Sequence, residues 1–384
     1  MDHTVALISC TCYEADEVSK AVKQGLDYLG GWERYIKPGQ RVLLKANLLT
    51  KRPPEDAVTT HPSVVRAVAE EVIRAGGEPF IYDSPGGPFT SATLKDVYQG
   101  CGLALVAGDL GIELNFDLGS TEVPTPKDAL VRSLTLSRAV CTADVVINLP
   151  KLKSHGLTRY TGAVKNLYGC IPGLRKADYH LQFPELHKFA GFLLDLALTV
   201  KPALTIMDAV VAMEGEGPSA GTPRELGFLL ASPSVFALDA VAVTLIGLDV
   251  AEVPTTRLAE QRGLLTVPVV DTIAGLKLKD VIVGDFEVPS PGGTSFRFLG
   301  YPVPPQWLKL AGGLLGARPV FNPNLCRQCG ICVRSCPANA IALTNKGPKV
   351  DLAACIRCFC CQELCPEQAV AIHRSWLSQR LLKW

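Results

Sequence analysis

No Gly-x4-Gly-Lys-Ser/Thr stretch occurs in the 384 residues, so ATP-driven work through a phosphate loop has no support. No Gly-x-Gly-x2-Gly follows a β-like run either, which leaves a standard NAD or FAD site unsupported. Net charge is almost lacking, at +1, and that argues against a general polyanion binder. Met1-Asp2-His3-Thr4 has no basic n-region, and the apolar run from Val5 to Cys10 is too short to span or target a membrane. The expected compartment is therefore cytoplasmic and reducing, with no transmembrane segment and no nucleic-acid partner.

Cysteine is plentiful instead. Eight of the 14 form a repeated pattern, Cys326-x2-Cys329-x2-Cys332-x3-Cys336-Pro337 and Cys355-x2-Cys358-x2-Cys361-x3-Cys365-Pro366. In this spacing three close thiolates hold one [4Fe-4S] cube and the fourth cysteine reaches across to the other. Cys326, Cys329, Cys332 and Cys365 are thus expected on one cluster, and Cys355, Cys358, Cys361 and Cys336 on the second. Structural zinc usually takes two cysteine pairs across a long spacer, which fits this pattern less well. Cys360 directly precedes Cys361 and competes for the third ligand position, although regular spacing favours Cys361. The region resembles dicluster ferredoxins, which implies an α+β module that carries electrons. From Arg318 onward nine Lys/Arg face three Asp/Glu, and the rest of the chain is left at about −5. That basic stretch suits an acidic electron donor or the acidic body of the same chain.

At 384 residues, 48% of them hydrophobic, the chain exceeds one core and is expected to divide. The predicted division is an α/β domain over 1–288, a Pro/Gly-rich docking linker over 289–321, a ferredoxin-like domain over 322–374 and an amphipathic tail over 375–384. Short β-like runs (Val5 to Ser9, Arg41 to Leu44, Pro79 to Tyr82, Asp144 to Leu149, Ala203 to Met207, Gly227 to Ala231) alternate with segments of helical periodicity. This alternation predicts a mostly parallel sheet covered by helices.

Several of these runs end in polar loops, and in open α/β sheets ligands bind beyond the carboxyl ends of strands. Lys45 and Asn47, Asp83, the Lys151-Leu-Lys153-Ser-His155 segment, Lys165-Asn166, Asp208 and Glu214 should converge on one crevice. Lys151, Lys153 and His155 alternate with period two, so an extended segment would project all three to one side. Such a cationic face suits an anionic ligand; a solvated cationic edge is the competing reading. His155 is the acid/base candidate, held neutral by neighbouring ammonium groups, with Lys153 and Lys165 beside it. Lys45, Asn47, Lys151, Asn166, Asp83 and Glu214 are the candidate ligand-binding residues.

Taken with Thr59-Thr60-His61-Pro62, Asp83-Ser84-Pro85-Gly86, Asn148-Leu-Pro-Lys151, Thr161-Gly-Ala-Val-Lys165-Asn166-Leu-Tyr-Gly169, Met213-Glu214-Gly-Glu216-Gly217-Pro218 and Leu238-Asp239-Ala240-Val241, these loops resemble the domain of unknown function 362 family over roughly residues 1–285. The resemblance implies the architecture and a ferredoxin-like module at one end. Three functions stay open. In the first, an external donor such as a ferredoxin or flavodoxin reduces two [4Fe-4S] clusters that serve an anionic substrate or cofactor in the crevice, as an oxidoreductase would. The second is an electron carrier or assembly subunit whose α/β domain is a docking scaffold. The third is a non-redox acid/base enzyme with structural clusters.

Overall fold

The computed structural model describes residues 2–268, 273–289, 297–298, 301–302 and 317–374. The docking linker expected over 289–321 falls largely outside these residues, and the tail expected over 375–384 wholly so. The large domain opens with β1 (Val5–Ser9), α1 (Ala15–Tyr28), β2 (Arg41–Lys45), α2 (Pro62–Arg74) and β3 (Glu78–Tyr82), followed by α3 (Ser91–Gly100), α4 (Leu103–Leu110) and β4 (Glu113–Leu114). A hairpin of β5 (Ser120–Pro124) and β6 (Ser133–Ser137) leads through α5 (Arg138–Cys141) to β7 (Val145–Asn148), β8 (Lys151–His155) and β9 (Arg159–Thr161). Then come α6 (Ala163–Asn166), α7 (Arg175–Gln182), α8 (Leu186–Val200), β10 (Leu204–Glu214), β11 (Thr222–Ser232), α9 (Val235–Leu245), α10 (Pro254–Gln261) and β12 (Ile273–Gly275).

The sheet runs β12-β1-β11-β10-β7-β2-β3-β4, with β8 beside β10 and β9 beside β8. Within it β11 is antiparallel to β1 and β10, and β9 to β8; the other pairings are parallel. Alternation along the strands explains why both faces are covered. Leu43 and Phe80 join the core under α8 and α9, whereas Val42, Leu44 and Ile81 join the core under α1, α2 and α3. His61 caps α2: its Nδ1 accepts the Ser63 N–H at 3.2 Å, and Pro62 follows at the first helical position.

Two antiparallel pairs build the C-terminal module: β15 (Arg318–Phe321) with β18 (Val370–His373), and β16 (Ile341–Thr344) with β17 (Gly347–Val350). They follow a short β13–β14 pair (Arg297–Phe298, Tyr301–Pro302). Each cysteine run carries a one-turn helix, α11 (Ile331–Arg334) and α12 (Cys360–Glu363). The two runs are offset by 29 residues, Cys326 to Cys355, and the backbone repeats with them: Gln328 and Arg357, Gly330 and Phe359, Asn339 and Gln368 all have positive φ. Phe359 holds at φ 62° the left-handed position that Gly330 fills without steric cost. Among the described residues no helix is long and apolar enough to cross a membrane.

Candidate functional site

Register brings the strand ends together. Lys45 pairs with Tyr82 of β3 and Asn148 of β7, so Asp83 and Leu149 leave the sheet at the same level. Lys45 is fully buried, its Nζ 2.7 Å from Asp83 Oδ1 and donating to Ala46 O at 2.8 Å. Asp83 Oδ2 accepts the Leu48 N–H at 2.8 Å. Asn166 donates to Asn148 Oδ1 at 2.8 Å and accepts from Asn47 Nδ2 at 2.9 Å, which ties the ends of β2, β7 and α6.

All five residues of β8 are buried, so the solvated-edge reading is excluded. Lys151, Lys153 and His155 have different destinations. Lys151 donates to Asp208 Oδ2 at 2.8 Å and to the Tyr13 hydroxyl at 2.6 Å. Asp208 also accepts from Tyr13 and from the His61 backbone N–H, each at 2.9 Å, and Tyr13 stacks on His61. Lys153 donates to Asn47 Oδ1 and Val58 O, both at 2.8 Å. Burial, then Lys165 and Lys151, push the Lys153 ammonium down to about 7.

His155 Nδ1 accepts the Leu157 N–H at 3.0 Å, so the neutral ring carries its proton on Nε2. That nitrogen faces Glu363 Oε1 of the C-terminal module at 3.2 Å. Burial is the largest cause that lowers the imidazole to about 4, with Lys165 second and Lys153 a smaller contributor. The expected neutrality is present, but it arises mainly from desolvation. Burial pushes the Glu363 carboxyl up, yet Lys165 and then His155 hold it below the usual carboxylate range.

A pocket of about 90 Å³ lies between these strand ends and the C-terminal module. Asn47, Asp83, Lys153, Lys165 and Asn166 line it; Lys45, Lys151, His155 and Glu214 do not. Glu214 instead accepts the Glu287 N–H at 3.0 Å and lies 3.8 Å from Arg224. Sequence reasoning left out the other polar walls. Lys176 and His180 sit one turn apart on α7, a spacing that could have marked them as one face. Lys176 donates to Ser84 Oγ at 2.8 Å and Ile171 O at 2.7 Å, and burial lowers it to about 7. His180 stacks on Phe189 at 4.3 Å and is neutral, lowered by burial to about 3. Ser335, Cys360 and Glu363 enter from the cysteine-rich module, and no local pattern announces that contact.

Further bonds cross the same seam. Gln362 Nε2 donates to Glu216 O at 2.9 Å, Gln368 Nε2 to Ser219 O at 3.2 Å, and Arg374 pairs with Glu216.

Inside the module, a cavity of about 20 Å³ is lined by Cys326, Cys329, Cys332 and Cys365, the set grouped by the spacing rule. Cys355 is flanked by Cys358 and Cys336. Cys361 packs inward with Cys332, Cys336 and Cys365, while Cys360 turns toward the crevice and contacts Cys358. The Ala340 N–H donates to Cys336 Sγ and the Ala369 N–H to Cys365 Sγ, both at 3.2 Å. Thiols grouped this way, with backbone N–H groups aimed at sulfur, fit iron-sulfur ligation. Among the described residues no three His, Cys, Asp or Glu side chains converge as they would on a single metal ion.

A curated relative, Thylakoid-associated protein sll1697 of Synechocystis sp., is 39% identical over 290 residues, 75% of this chain and 88% of that protein. Among solved structures, the lactate racemase apoprotein from Thermoanaerobacterium thermosaccharolyticum matches at TM-score 0.42 and 13% identity, over 66% of this chain and 59% of its own. A Thermotoga maritima protein matches at TM-score 0.36 and 11% identity, over 65% of this chain and again 59% of its own. Residues 318–366 match the 4Fe-4S dicluster domain, and residues 42–244 match DUF362. The chain belongs to the DUF362 domain-of-unknown-function family and carries a 4Fe-4S ferredoxin-type module.

Proposed function

We infer that this is an iron-sulfur redox protein that takes up single electrons and delivers them to an anionic substrate or cofactor in the crevice. Two [4Fe-4S] clusters would be held by Cys326, Cys329, Cys332 and Cys365, and by Cys355, Cys358, Cys361 and Cys336; bound there, they supply one-electron transfer. The observation that carries the reading is α12: the helix that turns Cys361 inward also presents Cys360 and Glu363 to the pocket lined by Lys153 and Lys165. Lys153 and Lys165 meet the anion, Asn47 and Asn166 fix the strand ends beneath it, and His155 positions α12 through Glu363. An acidic one-electron donor, such as a ferredoxin or flavodoxin, suits the basic C-terminal stretch, and the cytoplasm or a cytoplasm-facing membrane surface suits such a donor.

The test is anaerobic. Reconstitute the full chain, reduce it with dithionite, remove excess reductant, and follow visible absorbance on adding candidate organic acids and oxidised cofactors. An anionic compound should accelerate cluster reoxidation. If none does, while the chain co-purifies with a larger enzyme, the electron-carrier reading replaces this one.

A further inference from the structure

Two polar groups that line the crevice, one from each module, make no hydrogen bond. Lys165, on α6, lies over the Tyr168 ring at 5.9 Å, and among the described residues its ammonium makes no hydrogen bond and no ion pair. The other lysines nearby are held: Lys45 by Asp83 and Ala46 O, Lys153 by Asn47 and Val58 O, Lys176 by Ser84 and Ile171 O. The other group is Ser335 of the C-terminal module, at the end of α11. It is only 3% exposed, and its hydroxyl has no hydrogen-bond partner. A buried hydroxyl without a partner is uncommon, because its desolvation goes uncompensated.

The missing partner must accept hydrogen bonds. Asp83 is engaged by Lys45 and the Leu48 N–H, while Glu363 Oε1 lies 3.2 Å from His155 Nε2 outside hydrogen-bond geometry; among the described residues neither carboxylate forms an ion pair or hydrogen bond with Lys165 or Ser335. Once the Lys45–Asp83 pair is set aside, Lys153, Lys165 and Lys176 outnumber Glu363 by a formal charge of +2 among the pocket's side chains. An ammonium from one module and an O–H from the other call for an anion with more than one oxygen. Leu49, Leu174 and Leu364 supply apolar wall, which suits a ligand with a carbon body behind that anion.

We propose that Lys165 and Ser335 form a clamp for the carboxylate or phosphate group of a ligand, which thereby bridges the α/β domain and the ferredoxin-type module. This deepens the crevice reading and depends on it for the location of the ligand, but it needs no electron to move. It also gives the crevice a means of requiring both modules for tight binding, since each donates one half of the clamp.

Isothermal titration calorimetry on the full chain, anaerobic and with clusters oxidised, tests it with inorganic phosphate, acetate and benzoate as separate probes. Saturable binding of phosphate or a carboxylate is expected, with benzoate above acetate if the source is a carboxylate with an apolar body. Lys165→Gln should weaken that binding by about tenfold to a hundredfold, and Ser335→Ala by about fivefold, the cost of one charged and one neutral hydrogen bond. Lys188→Gln, at an exposed position on α8, should leave it unchanged. Cluster absorbance and a urea midpoint for each variant show that it is folded and loaded. Should Ser335→Ala lose its clusters, Ser335→Thr keeps the hydroxyl test available. The clamp is overturned if no probe binds, if Lys165→Gln binds like the parent, or if a loaded Ser335→Ala does. A chain that binds benzoate yet never shows acceptor-driven reoxidation keeps the clamp and loses the redox reading; the reverse result loses only the clamp.

Discussion

Glu363 reaches from the C-terminal module to the buried His155 and the lysines of the crevice, and removing it should weaken the docking of the two modules. The His155 ring is neutral near pH 7, since burial and Lys165 lower it to about 4, so its contact with Glu363 joins an Nε2–H to a carboxylate across 3.2 Å. The pair lies outside hydrogen-bond geometry, so the contact by itself is worth about 1 kcal/mol or less. Loss of the carboxylate also leaves Lys165 and Lys153 without their nearest counter-charge from the module. The neutral bonds from Gln362 and Gln368 are worth about 1 kcal/mol each, and neither replaces that counter-charge. Together with the lost counter-charge, Glu363→Ala should shift the docking equilibrium by about tenfold. The assay is the initial rate of acceptor-driven reoxidation, normalised to iron per chain. A clear fall is expected for Glu363→Ala, a smaller one for Glu363→Gln, and little change for Gln368→Ala. A Glu363→Ala protein that reoxidises at the parent rate, or loses rate only in proportion to lost iron, refutes the reasoning.

The buried Lys45–Asp83 pair invites a double-mutant cycle by urea denaturation. Lys45→Met alone should cost about 3–5 kcal/mol, and adding Asp83→Asn should recover about 2 kcal/mol or more; additive effects would mean that the pair is not coupled. Lys153 has a pH signature. Its folded-state value, about 7, lies below the 10.5 of the free side chain, so between those limits the unfolded chain binds more protons and stability rises with pH. Lys153→Met should remove about 2 kcal/mol of that rise between pH 7 and 9, read from urea denaturation at the two pH values. Cys360 and Cys361 should separate by iron analysis: Cys361→Ser loses iron, Cys360→Ser retains it, and the opposite outcome would exchange their roles.

The framework of the large domain is legible because alternation and helical spacing are local. Val5–Ser9 stands where the pattern puts it, and β2, β3 and β7 lie within about one residue of their expected limits. The polar residues misled in one respect. Asp208 looks like a strand terminus, yet β10 continues to Glu214 because Lys151 and Tyr13 satisfy the Asp208 carboxylate inside the sheet. The Lys151 to His155 segment likewise looks like a loop and is strand β8. Of the crevice, Asn47, Asp83, Lys153, Lys165 and Asn166 were legible as strand-end polar residues. Ser335, Cys360 and Glu363 were not, since their place depends on docking between parts of the chain that are remote in sequence.

Burial, more than sequence, breaks the symmetry of the cysteine repeat. The two halves share spacing, positive-φ positions and an N–H bond to the cysteine before each proline. In the first half α11 has no buried residue and Cys329 is exposed. In the second half all four residues of α12 are buried, and Phe359 keeps the strained position of Gly330 while burying its ring in the large-domain core. A glycine there would ease the backbone at the expense of that packing, so Phe359 trades local strain for attachment. Two halves with the same internal geometry thus acquire different surroundings: the first reaches the crevice only through Ser335 and leaves Cys329 exposed, whereas the second lays α12 against it. The contact between modules supplies that difference without any change in the cysteine pattern.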